Sequence, residues 1–302
     1  MGSERQVTTR RLAGYLMVVT SSLLFGFNGN LSRLLFDEGI TPVTLVEFRM
    51  LIGGVSLLAV LLVGQRQALK LQRRYWGWIV LFGLSLAVVT FTYFVAISRL
   101  PLAIAYVIQF SAPAWMTLGG ALWHRKMPST FVITALAFTF GGIVLLTGAW
   151  RNNLAGLDSI GLLFASLSIV AFIVYLVVGR RIGQDLPALT ATTYGAFVAG
   201  VFWLIVQPPW VIPAGTWTVP HLLLIAIVGI VGMAIPFSLV LASLRRIDAT
   251  HVAIVSMLEL VAGGVIAYFW LGQHLDVWQI AGCLSVIVGI TILQVEAGMQ
   301  QQ

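Results

Sequence analysis

The chain has 302 residues, of which 59 % are hydrophobic and only 9 % are charged, and its formal net charge is +7. Soluble domains are about a quarter charged, so these few charges exclude a water-soluble domain of this size. The sequence contains no G-x-x-x-x-G-K-[ST] motif, which argues against an ATP-driven motor. The positive charge is explained by the retention of basic residues on the cytoplasmic side of a membrane protein, so we expect no nucleic-acid partner. A single cysteine, Cys283, provides neither a disulfide nor a thiolate metal cluster, and we expect no metal and no cofactor.

Long apolar runs follow one another along the whole chain. A hydrocarbon core of about 30 Å requires about 20 apolar residues per helical crossing. These runs are too long and too continuous for the strands of a membrane barrel. We therefore predict an all-α membrane protein with ten transmembrane helices, at 11–36, 41–64, 75–99, 101–123, 128–150, 157–180, 187–211, 219–244, 249–271 and 275–295.

The basic residues predict the orientation. With the N-terminus in the cytoplasm, the inner segments carry thirteen lysines and arginines and the outer segments carry three, Arg33, Arg99 and Arg151. Positive charge is retained on the cytoplasmic side of membrane proteins. We expect both termini to lie in the cytoplasm, and the first span to be a retained helix and not a cleaved signal peptide.

The two halves of the chain repeat at an offset of 147 residues, which matches Phe25 with Phe172, Ser21 with Ser168, and Arg99 with Arg246. Residues 1–150 would form the first five-helix repeat and residues 151–302 the second. Because five is odd, the second repeat enters the membrane from the opposite side. Such a 5+5 inverted repeat around a central cavity is typical of alternating-access transporters.

Several motifs resemble those of a known family. The first half reads Leu24-Phe25-Gly26, Thr41-Pro42 and Phe48-Arg49, and the second reads Leu258-Glu259-Leu260 and Leu271-Gly272-Gln273. These motifs, with the span count and both repeats, are similar to the EamA-type drug/metabolite transporter (DMT) superfamily, and the sequence most resembles its YddG-like amino-acid exporters. Leu260 replaces the usual proline of the family and Gln273 the usual glutamate, whereas the first repeat keeps Pro113. The resemblance implies a bacterial inner-membrane protein whose spans 3, 4, 8 and 9 line the cavity.

Two ionisable residues lie near the predicted midplane, where each costs at least ~2.5–3.5 kcal/mol. Arg49 lies in span 2 and Glu259 in span 9. They would form a buried ion pair, remain separately hydrogen-bonded, or bind the charged ends of a substrate. Glu47 is 200° away from Arg49 around the helix and nearer the outer end, so we expect it to be solvated.

Uncharged polar residues complete the candidate site. In span 1, Asn28 and Asn30 would either bind substrate or connect helices, and His251 would cap span 9 or lie at the interface. Pro113 and Pro236 are expected to kink spans 4 and 8. The full set of predicted substrate-binding residues is Asn28, Arg49, Thr90, Tyr93, Tyr106, Gln109, Trp115, Ser256 and Glu259.

Small residues recur in spans 5 and 10, at Ala135, Gly142, Gly282, Ser285 and Gly289. Such a stripe permits close helix approach. It would serve helix contacts within the chain or a homodimer through spans 5 and 10, and a monomer is equally compatible with it.

The absence of further buried cations argues against phosphorylated cargo. We expect export of zwitterionic amino acids, aromatic or neutral, or of related small metabolites. The alternatives are a proton-coupled exporter of drugs or other amphiphilic metabolites and, with less support, a channel. No protease motif occurs in the sequence, so we do not expect an enzyme.

Overall fold

The computed structural model describes residues 2–125, 127–151, 156–212, 215, 217–271 and 275–299. Within these residues the chain forms thirteen α-helices and one π-helical turn, and no strand. The helices are α1 Gly2–Asp37, α2 Pro42–Gly64, α3 Trp76–Arg99, α4 Leu102–Gln109, α5 Ala112–His124, α6 Thr130–Thr147, α7 Ser159–Asp185, α8 Ala188–Val206, α9 Val219–Gly229, α10 Ile235–Ser243, α11 Ala249–Ser256, α12 Leu258–Leu271 and α13 Val277–Met299.

Nine stretches of the described residues are long and apolar enough to cross a membrane. The tenth predicted span, 101–123, is broken into α4 and α5, neither of which is long enough alone. Large exposed apolar side chains surround the bundle and would face lipid, and most of the exposed tryptophans lie near helix ends. The predicted ten-helix membrane architecture is therefore confirmed, and three of its spans are interrupted.

Local signals explain where the helices begin. Thr41 caps α2 by accepting a hydrogen bond from the N–H of Thr44, and Pro42 occupies the first turn, where no N–H is needed. Ser129 and Asp158 cap α6 and α7 in the same way. These caps satisfy backbone groups that would otherwise be exposed at the membrane boundary.

Prolines coincide with two of the three helix interruptions. Pro113 lies directly after the break between α4 and α5, and its ring would clash with the carbonyl of Gln109 in a continuous helix. Pro236 follows the π-helical turn Ile230–Ala234, which joins α9 to α10. The third interruption, at Met257, corresponds to Phe110 at the repeat offset although Leu260 replaces the proline. The break is thus shared by both repeats and does not require proline in the second.

Reciprocal contacts relate the two repeats. A Cβ atom on Gly14 would lie 2.9 Å from Cβ of Arg246, and one on Gly161 would lie 3.0 Å from Cβ of Arg99. At the offset of 147 residues, Gly14 corresponds to Gly161 and Arg99 corresponds to Arg246, so the two contacts are equivalent. Helix α1 of the first repeat therefore contacts the second repeat as α7 of the second contacts the first.

The stripe of small residues joins α6 to α13. A Cβ atom on Gly142 would lie 2.7 Å from the carbonyl oxygen of Gly282, and one on Gly289 would lie 2.8 Å from that of Ala135. Residue numbers rise along one helix as they fall along the other, so the two helices are antiparallel. The hydroxyl of Ser285 also donates to the carbonyl of Phe138 at 2.7 Å. These surfaces are buried against each other, so the small residues serve contacts within the chain, and a homodimer through spans 5 and 10 stays a prediction.

Candidate functional site

A central cavity of about 180 Å³ lies between the two repeats, below the size of typical drug pockets. Helices α1, α2, α3, α4, α7, α10, α11 and α12 all contribute side chains to it. The predicted residues that line it are Asn28, Arg49, Thr90, Tyr93, Tyr106, Gln109, Ser256 and Glu259. The sequence therefore located most of the polar lining.

Trp115 does not line the cavity, which corrects its inclusion in the site. Its side chain is 56 % exposed, and Leu118 and Leu122 on the same face of α5 are exposed as well. Positions separated by three and four residues share a helix face. Trp115 is therefore part of a lipid-facing stripe.

Arg49 is held by the π-helical turn. Its Nη2 donates to the carbonyl of Gly232 at 3.3 Å. Pro236, four residues after Gly232, has no N–H to donate to that carbonyl. The guanidinium also lies 5.8 Å from the ring centroid of Phe237, while its Nε, although buried, has no partner in the described structure. Arg49 therefore retains a donor for a ligand.

Glu259 lines the same cavity from the first turn of α12. It interacts electrostatically with Arg49, yet no salt bridge between them is formed in the described residues. A cation and a carboxylate that share one small cavity without neutralising each other directly can bind the two ends of a zwitterion.

Two further polar side chains of α1 have unused hydrogen-bonding atoms. Oδ1 of Asn28 and Oγ of Ser32 are buried in the cavity wall and lack partners among the described residues. Any side chain at Gly232 would overlap the amide of Asn28, so this glycine is required for the close approach. Asn30, in contrast, donates to the carbonyls of Gly26 and Gly263, each at 3.0 Å, and connects α1 to α12.

Gln109 is oriented by a hydrogen bond that its Oε1 accepts from the hydroxyl of Ser168. Its amide NH₂ is left as the group that can reach a ligand. The hydroxyls of Thr90 and Ser256 donate to carbonyls of their own helices at 2.8 Å, so their oxygens remain acceptors.

Aromatic residues form the rest of the wall, and several of them were not predicted from the sequence. Phe25 lies 5.0 Å from Phe237 in an edge-on contact, and Tyr93 lies 6.1 Å from Tyr106, both between ring centroids. Phe172 also lines the cavity. The pairing of Phe25 with Phe172 across the repeats was a signal that could have identified both.

Glu47 is buried and not solvated, which corrects the sequence prediction. Its side chain is 0 % exposed, and both carboxylate oxygens lack partners among the described residues. It lies on the face of α2 that contacts α8, between Thr44, which accepts a hydrogen bond from Gln207, and Leu51, which packs against Gly200. Glu47 therefore faces away from the cavity.

The sequence pattern of the EamA-like transporter family matches residues 12–148 and again residues 159–295. The chain belongs to the EamA-like transporter family. The two matched stretches begin 147 residues apart, which agrees with the internal offset. Members of this family are transporters and not enzymes. The repeat boundaries at residues 150 and 151 stay a prediction.

Curated relatives of this EamA-like transporter share about a quarter of its residues. The threonine/homoserine exporter RhtA of Salmonella typhimurium is 25 % identical over 95 % of the chain and 92 % of the relative. RhtA of Escherichia coli K12 is 26 % identical over 90 % of the chain and 87 % of the relative. The uncharacterised transporter YcbK of Bacillus subtilis is 26 % identical over 66 % of the chain and 65 % of the relative.

A solved crystal structure has the same fold. It superposes with a TM-score of 0.78 at 20 % sequence identity and covers 96 % of this chain and 99 % of the other. At this identity the likeness supports the fold alone. The Gln273 and Gly272 of the family motif lie outside the described residues.

Proposed function

We propose that this EamA-like transporter exports neutral amino acids, or small zwitterionic metabolites like them, across a bacterial inner membrane. The observation that carries the proposal is that one cavity holds both Arg49 and Glu259. In the described structure, Nε of Arg49 has no partner, and the two side chains form no direct salt bridge with each other. A phosphorylated cargo would require several cations, and the described lining of this cavity offers Arg49 alone.

The geometry suggests how such a substrate binds. Its carboxylate accepts from Arg49, and its ammonium group donates to Glu259 and to Oδ1 of Asn28. A charge-assisted hydrogen bond is about twice as strong as a neutral one. The NH₂ of Gln109 offers a further donor. The substrate side chain lies against the rings of the wall, and these accept aliphatic and aromatic groups alike.

The names of two relatives support amino-acid cargo, because both are called threonine/homoserine exporters. Their identity to this chain is too low to transfer the individual substrate. The YddG-like assignment likewise stays a prediction.

Transport would proceed by alternating access. The interruptions after Gln109, Gly229 and Ser256 leave three spans without continuous α-helical hydrogen bonding near the cavity. We propose that Pro113 and Pro236 act as hinges there. Proton coupling needs a buried group that takes up and releases the proton, and span 1 contains no carboxylate that could do so. Uncoupled efflux down a metabolite gradient is therefore favoured over proton antiport through Glu259.

Counterflow into proteoliposomes tests the substrate class. Vesicles preloaded with each common amino acid should accumulate the labelled form of those that are carried. Arg49→Gln and Gln109→Ala should lower the initial rate at least tenfold, since each removes a donor at the substrate. Trp115→Ala provides the matched control, because it removes a large aromatic ring that faces lipid, and it should retain the wild-type rate.

Three results would contradict the proposal. Failure of every amino acid to exchange would reject the substrate class, and equal loss in Trp115→Ala would reject the cavity as the binding site. Flux that does not saturate and shows no counterflow would indicate a channel.

The aromatic wall specifically favours a second candidate, a proton-coupled exporter of drugs or other amphiphiles. In that case an imposed pH gradient would drive export, and Glu259→Gln would abolish the response while downhill exchange remained. Each unit charge moved is worth ~2.3 kcal/mol per 100 mV, so coupled flux would also respond to membrane potential. The orientation is tested separately, since reporters fused to either terminus should be active only in the cytoplasm.

A further inference from the structure

A second cavity, of about 230 Å³, lies among the ends of α1, α7, α10 and α11 that are predicted to face the cytoplasm. We call it the arginine pocket. Its charged and ionisable lining consists of Arg11, Arg180, Arg245, Arg246, Asp248 and His251. It is separate from the central cavity, with which it shares no lining residue.

The cations of the arginine pocket outnumber its anions. Asp248 pairs with Arg180 at 2.5 Å. Among the described residues that line this pocket, Asp248 is the one that carries a carboxylate. Arg245 donates to the carbonyl of Leu186 at 3.3 Å, and Arg246 donates to that of Ala242 at 2.6 Å. Carbonyl groups leave the positive charges uncompensated. Partial burial, with Arg245 and Arg10 nearby, accordingly lowers the pKa of Arg246.

The first repeat supplies an internal comparison at the outer side of the membrane. At the offset of 147, Arg180 and Arg246 correspond to Arg33 and Arg99, so both arginines are present in each repeat. Arg11, however, corresponds to Asp158, whose carboxylate pairs with Arg99 at 3.4 Å. The outer counterpart therefore has a carboxylate that pairs with Arg99 at the position where the inner pocket has Arg11.

Other equivalent positions differ in the same direction. Arg245 corresponds to Ser98, Gln184 to Asp37, and His251 to Ile104. Each of these three differences either adds positive or polar character to the inner pocket or removes a carboxylate from it. Asp248, which corresponds to Pro101, instead adds a carboxylate, and Arg180 neutralises it. The shared fold alone therefore does not account for the excess of positive charge.

The start of α11 adds backbone donors. Asp248 precedes this helix but makes no capping hydrogen bond, because its carboxylate is engaged by Arg180. The first N–H groups of the helix are thus not satisfied by the side chain that usually caps them, and a helix N-terminus favours anions. His251, in the first turn, is positioned by a 2.6 Å hydrogen bond between its Nδ1 and the hydroxyl of Tyr15 in α1.

We propose that the arginine pocket binds a phosphate group, carried by an anionic phospholipid of the inner leaflet or by free phosphate. Guanidinium groups match phosphate oxygens in pairs, and basic pockets between transmembrane helices on the cytoplasmic side suit lipid headgroups. The ligand would connect α1 of the first repeat to α7, α10 and α11 of the second, the elements that must move relative to each other in alternating access.

Thermal unfolding of the purified full chain in detergent tests the site. Phosphatidylglycerol is compared with phosphatidylcholine, and inorganic phosphate with chloride at matched ionic strength. Arg11→Gln combined with Arg246→Gln should weaken the apparent affinity about 25-fold, at about fivefold per basic residue. Arg99→Gln combined with Arg151→Gln removes equal charge from the outer side and should change it less than about threefold.

Each outcome decides the proposal. Selective stabilisation by phosphatidylglycerol assigns the phosphate to lipid, and stabilisation by inorganic phosphate alone assigns it to a free anion. Stabilisation by neither, or an equal loss in the outer double variant, would overturn the proposal and leave these arginines as orientation signals only. If the glutamine variant does not fold, Arg11→Lys with Arg246→Lys keeps the charge and should bind within about fivefold of wild type.

Discussion

The contact between α6 and α13 predicts unequal effects for two adjacent glycines. A Cβ atom on Gly142 would lie 2.7 Å from the carbonyl oxygen of Gly282 and 2.8 Å from Cγ2 of Val286, whereas one on Gly141 would meet nothing within 4 Å. Carbon atoms in contact normally lie at about 3.5–4.0 Å. Gly142→Ala must therefore push the helices apart, and Gly141→Ala requires no shift.

The magnitudes follow from these distances. Overfilling a close-packed contact typically costs about 1–3 kcal/mol. Replacing an interior helical glycine with alanine at an unobstructed site gains about 0.5–1 kcal/mol. Both substitutions share the helix gain, so the two variants should differ in unfolding free energy by the overfilling cost of about 1–3 kcal/mol, with Gly142→Ala the less stable.

Thermal unfolding in detergent, with size-exclusion chromatography in parallel, measures both effects. Gly289→Ala should behave like Gly142→Ala, because its Cβ atom would lie 2.8 Å from the carbonyl of Ala135. If Gly142→Ala proved as stable as Gly141→Ala, the close contact would be refuted. If it instead dissociated a dimer without loss of stability, the stripe would serve a second copy of the chain.

Two further predictions concern carboxyl groups. Glu47→Met should leave the melting temperature unchanged or raise it, because an unpartnered buried carboxyl group is unfavourable and an apolar replacement is often stabilising. A melting temperature lower by several degrees would show that Glu47 makes a stabilising interaction in the native state. The N–H of Gly161, together with Arg99, holds the pKa of Asp158 below its usual range. The ionised carboxylate therefore stabilises the fold at neutral pH, and this contribution is lost as the pH falls through the lowered pKa. The stability difference between wild type and Asp158→Asn should therefore shrink as the pH falls from 7 through this lowered pKa, and a constant difference would mean that the charge contributes nothing.

The sequence located the spans because lipid imposes a simple requirement on them. Span 6 was predicted at 157–180 and α7 covers Ser159–Asp185, since a long apolar run admits only a helix in hydrocarbon. The interruptions were harder to predict. Proline indicated those near Pro113 and Pro236, but at Met257 no residue of the sequence marks the break.

Within the candidate site, the sequence identified polar residues more reliably than their directions. A polar side chain in a span must avoid lipid, so Asn28, Gln109 and Glu259 were bound to face the interior. Trp115 is under no such constraint, because indole is tolerated in lipid as well as in a cavity. Glu47 faces the interior too, but its position against α8 depends on how α2 is rotated, which composition does not specify.

Arg49 shows how the interrupted helix and the proposed site depend on each other. The π-helical turn and Pro236 release a carbonyl group at Gly232, and that carbonyl holds the guanidinium while the absence of a side chain at Gly232 admits Asn28. If residue 236 carried an N–H, a continuous α-helix would bond this carbonyl internally and leave Arg49 without it. A rearrangement of this turn during transport would therefore move the donor for the substrate carboxylate and the neighbouring amide together, which would couple substrate binding in the cavity to the shape of the eighth span.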